Sequence, residues 1–134
     1  MPDPMPVNPK ERVRSTASRA AADPAASRFV SLSAGMRGCA IFGPDGLLAA
    51  SGDGERWLEA GRALLEAADG AAGQPATHAH VATEDGEAFA LRLGNLAMVA
   101  VTERFVLASL VFADMRAALR ESRIESPAPA ARVV

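Results

Sequence analysis

The alternation of apolar and polar side chains along the chain predicts three helices and five strands. Residues 54–69 carry apolar side chains at helical spacing with charged residues between them, which is typical of an amphipathic helix. Residues 87–93 alternate like a half-buried strand. In the next predicted strand, 96–102, residues 96–101 are apolar on both faces and favour a central position. The predicted order is helix, two strands, helix, three strands, helix, which is an α+β arrangement.

Turn sequences join the predicted strands into hairpins. Residues 43–46 (GPDG) suit a type I turn, because proline and glycine stand at the positions that this turn favours. Residues 85–86 (DG) and 94–95 (GN) are strong signals for two-residue hairpins. Strands that are consecutive within a hairpin should therefore be antiparallel, and the apolar segments 36–42 and 96–101 should lie centrally in the sheet.

Capping residues predict the helix boundaries. At a helix start, the side chains of Asp and Thr accept hydrogen bonds from free backbone N–H groups, and Pro has no N–H group that needs a partner. At a helix end, Gly adopts the left-handed conformation without strain. We expect helices to start at Asp23–Pro24, Asp53 and Thr102 and to end at Gly35, Gly70 and Glu121.

The two ends of the chain differ from the part between them. Residues 1–23 are rich in proline and small or polar residues, and residues 124–134 repeat this composition. Such segments bury too little apolar surface to offset the entropy lost on folding. We expect two disordered tails, 1–23 and 124–134, around one domain at 24–123.

Charge and composition narrow the function classes. Residues 35–121 carry five more acidic than basic side chains, so the predicted domain should repel phosphate, and we expect no nucleic-acid partner. No segment approaches the run of about 20 apolar residues that a bilayer crossing requires, and the N-terminus has no signal-like apolar run, so we expect a cytoplasmic protein without a membrane partner. Cys39, the single cysteine, lies within an apolar segment and is predicted to be a small buried apolar residue.

The sequence contains no group of residues whose types and spacing indicate a catalytic site. His78 and His80 would share one face of a strand and could chelate a metal, but a zinc site requires three or four ligands. A second copy across a two-fold axis would supply the rest; the alternative is two polar residues on the solvent face of an edge strand. Glu84 and Asp85 belong to a charged turn, and no nucleophile motif is present. We assign no enzyme activity, no cofactor and no metal.

Residues 35–51 (GMRGCAIFGPDGLLAAS) resemble the opening of a roadblock domain, the fold of dynein light-chain relatives. The resemblance continues through the amphipathic helix, the three-strand meander with residues 96–101 (LAMVAV) and the terminal helix. It implies a five-stranded antiparallel sheet with helices on both faces, assembled as a homodimer through edge strands and middle helices. It also implies function without an active site, since bacterial members resemble regulators of Ras-like GTPases and accompany sensor kinases.

The sequence also indicates which surfaces two copies of the domain would use to associate. Residues 76–83 would form an unprotected edge strand, and edge strands need charges, proline or a partner to avoid aggregation. Small residues on the middle helix would let another helix approach, although helix propensity alone also favours alanine. Trp57 is either an aromatic anchor of an interface or part of the core. The candidate interface residues are Trp57, Glu59, Ala60, Ala63, Glu66, Ala67, Thr77, Ala79, Val81 and Thr83.

Two function classes follow from this reasoning. The first is a dimeric adaptor or regulator that binds a small Ras-like GTPase or a sensor-kinase partner. The second is a small-molecule sensor of profilin-like or PAS-like architecture, because those folds also contain a central antiparallel sheet. The many small residues favour a filled core and therefore the first class.

Overall fold

The computed structural model describes residues 9–33 and 35–123, and both predicted tails extend beyond these limits. Three helices and five strands follow one another in the predicted order. Their bounds are α1 Pro9–Leu32, β1 Met36–Gly43, β2 Gly46–Ser51, α2 Gly54–Ala72, β3 His78–Ala82, β4 Glu87–Leu93, β5 Leu96–Thr102 and α3 Ala108–Arg123.

The five strands form one antiparallel sheet in the order β2-β1-β5-β4-β3. This arrangement confirms the predicted fold class and the central position of β1 and β5. Two strands lie at the edges, β2 on one side and β3 on the other. Each strand of the meander β3, β4 and β5 pairs with its neighbour in sequence, as the hairpin signals predicted.

The sheet is covered on both faces, because consecutive side chains of its central strands are apolar and buried, from Cys39 to Phe42 in β1 and from Leu96 to Ala100 in β5. Met98 and Val99 are consecutive and both fully buried, but they point to opposite faces of the sheet and belong to different clusters. The larger cluster contains Phe29 of α1 and Met115 of α3, and the smaller contains Leu58 of α2. Helices α1 and α3 therefore pack on one face, and α2 packs on the other.

The N-terminal helix differs from the expectation. It begins at Pro9 rather than at Pro24, which lies inside the helix. Proline removes one helical hydrogen bond and normally favours a helix start. Here Ala22, Ala25 and Ala26 are buried on both sides of Pro24, and we attribute the continuation of the helix to this packing.

The predicted boundaries of the other helices are corrected as well. Asp53 precedes α2, but its side chain makes no capping hydrogen bond, and the helix continues through Gly70 to end before Gly73, which has a left-handed φ of 73°. Thr102 does not cap α3: it is the fully buried last residue of β5, and its hydroxyl donates to the carbonyl of Glu103 at 2.8 Å. A loop over residues 103–107 separates it from the helix.

Within the described residues, no helix combines the length and the apolar character needed to cross a membrane.

Candidate interaction surface

Strand β3 offers backbone groups at the edge of the sheet. The backbone N–H of Thr83 donates to Gly86 at 2.8 Å, and that of Arg92 donates to Thr77 at 2.8 Å. In an antiparallel pair, residues bonded to the partner strand alternate with residues that point away. The N–H and C=O groups of His78, His80 and Ala82 therefore point away from β4. In the described part of the chain, no strand pairs with them.

The four candidate residues of this edge lie differently from one another. Thr77 and Thr83 flank the strand, because β3 is shorter than the predicted 76–83. Ala79 is half-buried against the cluster beneath α2, and Val81 remains 43% exposed. Their backbone groups point inward to β4, so the unpaired edge is carried by the residues between them.

Helix α2 exposes the predicted stripe of small residues. Ala60, Ala63 and Ala67 are exposed, and so are Glu59 and Glu66. The opposite side of the helix packs on the sheet, as the amphipathic pattern predicted. Because α2 contacts all five strands, β3 included, its exposed stripe lies over the same face of the sheet that β3 borders at one edge.

An ion pair ties α2 to β4 and to the loop that precedes β3. The Arg92 guanidinium donates to both carboxylate oxygens of Asp69, at 2.7 and 3.0 Å, and to the carbonyl of Ala76 at 2.7 Å. The backbone N–H of Ala76 also donates to Asp69 at 2.7 Å. These bonds join the end of α2 to the loop that leads into β3. They lower the pKa of Asp69 from 3.8 to about 2, with the Arg92 hydrogen bond as the largest cause.

We expect Asp69→Asn to lower the urea midpoint of unfolding at pH 7, because it removes the charge that Arg92 binds and keeps the side-chain shape. The folded-state pKa is depressed, so the stabilisation is present above the ordinary pKa and is lost as pH falls from about 3.8 through about 2. Urea titrations of both proteins at pH 7, 4 and 3 should show the difference shrinking toward low pH. A difference that does not change with pH would contradict a charge-based role.

Trp57 is half-buried at the start of α2, and its indole packs against the backbone of Gly38. A methyl group at Gly38 would come within 2.5 Å of the indole nitrogen, so glycine is needed for this close approach. The indole N–H has no hydrogen-bond partner among the described residues. The guanidinium of Arg56 lies 5.1 Å from the indole ring centroid, a cation–π distance. Trp57 thus contributes to the core and also reaches the surface.

The two histidines share the face opposite α2, as their spacing predicted. The His80 ring stacks on Phe89 with ring centroids 4.2 Å apart, and its Nε2 atom lies 2.7 Å from Oε1 of Glu87. The other oxygen of Glu87 accepts from the backbone N–H of Val106 at 3.3 Å. The hydrogen bond with His80 is the main cause that lowers the pKa of the Glu87 carboxyl. The histidines therefore pack with aromatic and charged groups rather than only facing solvent.

The described side chains form no cluster of three or more His, Cys, Asp or Glu residues that could hold a metal ion. Burial raises the pKa of the Cys39 thiol to about 11, so it is protonated at neutral pH and a poor nucleophile. This agrees with the prediction that Cys39 is a buried hydrophobe.

Sequence reasoning missed a second exposed surface. Leu110 in the first turn of α3 is exposed, together with Phe105 and Leu107 in the preceding loop and with Leu32 at the end of α1. Phe105 is 85% exposed and has a left-handed φ of 64°, which is uncommon for a residue other than glycine. Leu110 lies outside the stripe of buried residues Val111, Met115 and Leu119 on α3, and this position in the helical pattern indicates that its side chain is exposed.

Comparisons with known proteins agree with this architecture. The chain is similar to a Roadblock/LC7 domain from Streptomyces avermitilis, with a TM-score of 0.65 and 13% sequence identity, over 76% of this chain and 94% of that one. It is also similar to Myxococcus xanthus MglB, with a TM-score of 0.54 and 11% identity, over 82% and 88% of the two chains. No protein-family model matches the sequence, and no curated protein matches it. At these identities the likeness concerns the fold alone.

Proposed function

This chain has the roadblock-like fold that its sequence predicted, and from that premise we propose that it is a non-catalytic, homodimeric adaptor or regulator. Its partner in this proposal is a small Ras-like GTPase or an associated sensor kinase. Two copies associate through β3 and the exposed side of α2, and the assembled surface binds the partner.

The observation that carries the dimer is the unpaired backbone of β3, and the exposed small-residue stripe of α2 supports it. An unprotected edge strand is a ready template for another strand, and natural proteins block such edges or pair them. The exposed edge-strand residues include Val81 and lack lysine and proline, the usual protecting residues. A symmetric dimer covers this edge and the adjacent helix with one self-complementary contact.

The choice of a GTPase partner rests on the family resemblance and on charge. Bacterial roadblock proteins resemble regulators of Ras-like GTPases, and MglB is among the structural neighbours. Exposed Glu59 and Glu66 on α2 give this side of the domain negative charge for a basic partner surface. The thiol of Cys39, the single cysteine, is kept protonated by burial and is a poor nucleophile, which is in keeping with a role through binding.

Val81→Lys should weaken the dimer by on the order of tenfold or more, because it places a charge on the strand edge that a second copy must cover. The fold should be retained, since Val81 is already partly exposed at the sheet edge. Light scattering across a dilution series measures the change. Asn95→Lys, at an exposed turn residue outside β3 and α2, is the matched control and should leave the dimer intact. A monomeric wild type at micromolar concentration would refute the dimer.

Charge reversal at Glu59 and Glu66 should slow association with the GTPase and change its salt dependence, because exposed charges steer the encounter of two proteins. The binding partner to test is a small Ras-like GTPase encoded beside this gene, loaded with GDP or a GTP analogue. Binding kinetics at two salt concentrations give the readout, and Glu103→Lys, an exposed residue outside α2, is the control. Kinetics unaffected by both reversals would exclude this helix face as the contact.

A further inference from the structure

We propose that the second exposed surface binds a positively charged amphipathic helix of another protein. This surface is a recess, called here the apolar recess, and its exposed apolar residues are Leu32, Phe105, Leu107 and Leu110. It lies where α1 ends and α3 begins, on the face of the sheet opposite α2. The inference adds a binding surface to the one in the proposed function and does not depend on that function.

The apolar recess gathers large side chains that water would otherwise surround. The exposed fraction is 73% for Leu32, 66% for Leu107 and 56% for Leu110. All three line the recess together with Phe105, and buried Val111 at its base belongs to the hydrophobic core. Single apolar side chains are common on protein surfaces, but a group of large ones in one place marks a binding surface. A partner that covers the recess removes these side chains from water.

The loop that carries Phe105 is fixed by two backbone hydrogen bonds. The N–H of Glu103 donates to the carbonyl of Gly35 at 2.8 Å. The N–H of Val106 donates to Oε2 of Glu87 at 3.3 Å. Between these bonds, Phe105 has a left-handed φ of 64°, which side chains other than glycine seldom adopt. Because the bonds hold the loop in this conformation before a partner arrives, binding does not have to order it.

The charges of the apolar recess favour a cationic partner. Glu103 and Asp114 line the recess, and neither carboxylate forms an ion pair among the described residues. Asp114 accepts a hydrogen bond from the hydroxyl of Ser33 at 3.2 Å. Arg104 is the only cation among the described lining residues, and its guanidinium lies 4.5 Å from the ring centroid of Phe105. The lining carries two negative charges and one positive charge, which suits a cationic partner rather than an anionic lipid surface.

The walls of the apolar recess favour a helix as the bound element. They are the end of α1, the start of α3 and the loop of residues 103–107. None of these described elements has the unpaired edge of a strand, so a partner cannot bind here by extending the sheet. An amphipathic helix binds a recess of this kind by placing its apolar face in it. Lysine or arginine beside that face would then lie near Glu103 and Asp114.

A synthetic amphipathic helix tests the proposal on the full chain. The probe carries leucine on one face and lysine on the other, and a matched peptide has glutamate in place of lysine. We expect the lysine peptide to bind at least about tenfold more tightly, because only its charges complement the recess. Amide chemical shifts should change most at residues 103–114 and should stay unchanged at residues 59–67 of α2. Equal affinities for the two peptides, or shift changes centred on α2, would overturn the proposal.

The double variant Phe105→Gln/Leu110→Gln tests the apolar contribution. It should weaken binding of the lysine peptide by at least about tenfold at low and at high salt, because two apolar side chains lose their contacts with the peptide. Both side chains are mainly exposed, so the urea midpoint of unfolding should stay close to that of the wild type. An unchanged affinity in this folded variant would show that the peptide binds elsewhere.

The double variant Glu103→Gln/Asp114→Asn tests the charges and keeps the shapes of both side chains. It should weaken binding of the lysine peptide by about two- to tenfold at low salt, and the difference should shrink at high salt. Glu59→Gln/Glu66→Gln removes the same charge from the exposed side of α2 and is the matched control. If the control weakens binding as much, the peptide responds only to net charge and the proposal fails.

Other occupants of the apolar recess give distinct results. Vesicles of phosphatidylcholine and phosphatidylglycerol that bind the wild type but not Phe105→Gln/Leu110→Gln would indicate a lipid surface. A lower mass of this variant in light scattering would indicate a second copy of the chain. Tighter peptide binding by Val133→Ser/Val134→Ser would indicate the chain's own C-terminal residues, which lie outside the described residues. Each of these results overturns the proposal, whereas loss of GTPase binding alone bears only on the proposed function.

Discussion

Phe89→Ala is expected to lower the free energy of unfolding by about 3–5 kcal/mol, the usual cost of removing a buried phenylalanine ring. Phe89 is fully buried in β4, between the stacked ring of His80 and the edge of Phe112, whose ring centroid lies 5.3 Å away. The alanine would leave a cavity and end both aromatic contacts. Since small domains are stable by only about 5–15 kcal/mol, this loss would leave the fold marginal.

Chemical denaturation at one fixed protein concentration measures this effect, because association would add a concentration-dependent contribution to the apparent stability. Phe105→Ala makes the same chemical change at an 85% exposed position and is the matched control. Its effect should stay within about 0.5 kcal/mol. Similar losses at the two positions would mean that Phe89 does not lie in the core.

Gly61→Ala is expected to be the second most destabilising change, although alanine is the better helix former. A methyl group at Gly61 would lie 2.8 Å from Cβ of Val99 and 3.2 Å from Cε1 of Phe42, and both neighbours are buried. Overpacking of this kind costs about 1–3 kcal/mol. The gain of about 1 kcal/mol in helix propensity offsets only part of it. The closeness of α2 to β5 depends on this missing side chain.

Gly70→Ala in the same helix is the matched control. Gly70 is exposed, and a methyl group there would meet nothing within 4 Å, so the helix-propensity gain should appear undiminished as about 1 kcal/mol of added stability. Thermal and denaturant unfolding of the two variants should therefore shift in opposite directions. A stabilising Gly61→Ala would show that α2 can move away from the sheet without cost.

The sheet was predictable because its signals are local. The bounds of β4 and β5 agree with the sequence prediction, since alternation and the hairpin turns at residues 85–86 and 94–95 define both ends of each strand. The amphipathic side of α2 was predictable for the same reason. On the other side of the helix, Ala60, Ala63 and Ala67 are exposed.

Helix boundaries were less predictable because they depend on distant contacts. Thr102 and Asp53 are typical capping residues, but Thr102 is buried as the end of β5 and Asp53 makes no side-chain cap. The local sequence around Pro24 predicts a helix start, but α1 continues through this residue, with buried alanines on both sides. The contacts of His80 with Phe89 and Glu87 could not be predicted for the same reason. The spacing of residues along a strand predicts which face of the sheet a side chain lies on, but not which side chains it contacts there.

The packing of Trp57 on Gly38 has a spectroscopic consequence. Trp57 is the only tryptophan of the chain, and the chain has no tyrosine. Intrinsic near-ultraviolet fluorescence therefore comes from one indole, which borders the recess containing Val81 and lies beside the Arg56 guanidinium. The protein carries its own optical probe at the start of α2, where the helix packs on β1, and a dilution series followed by emission wavelength reports on this surface without an added label.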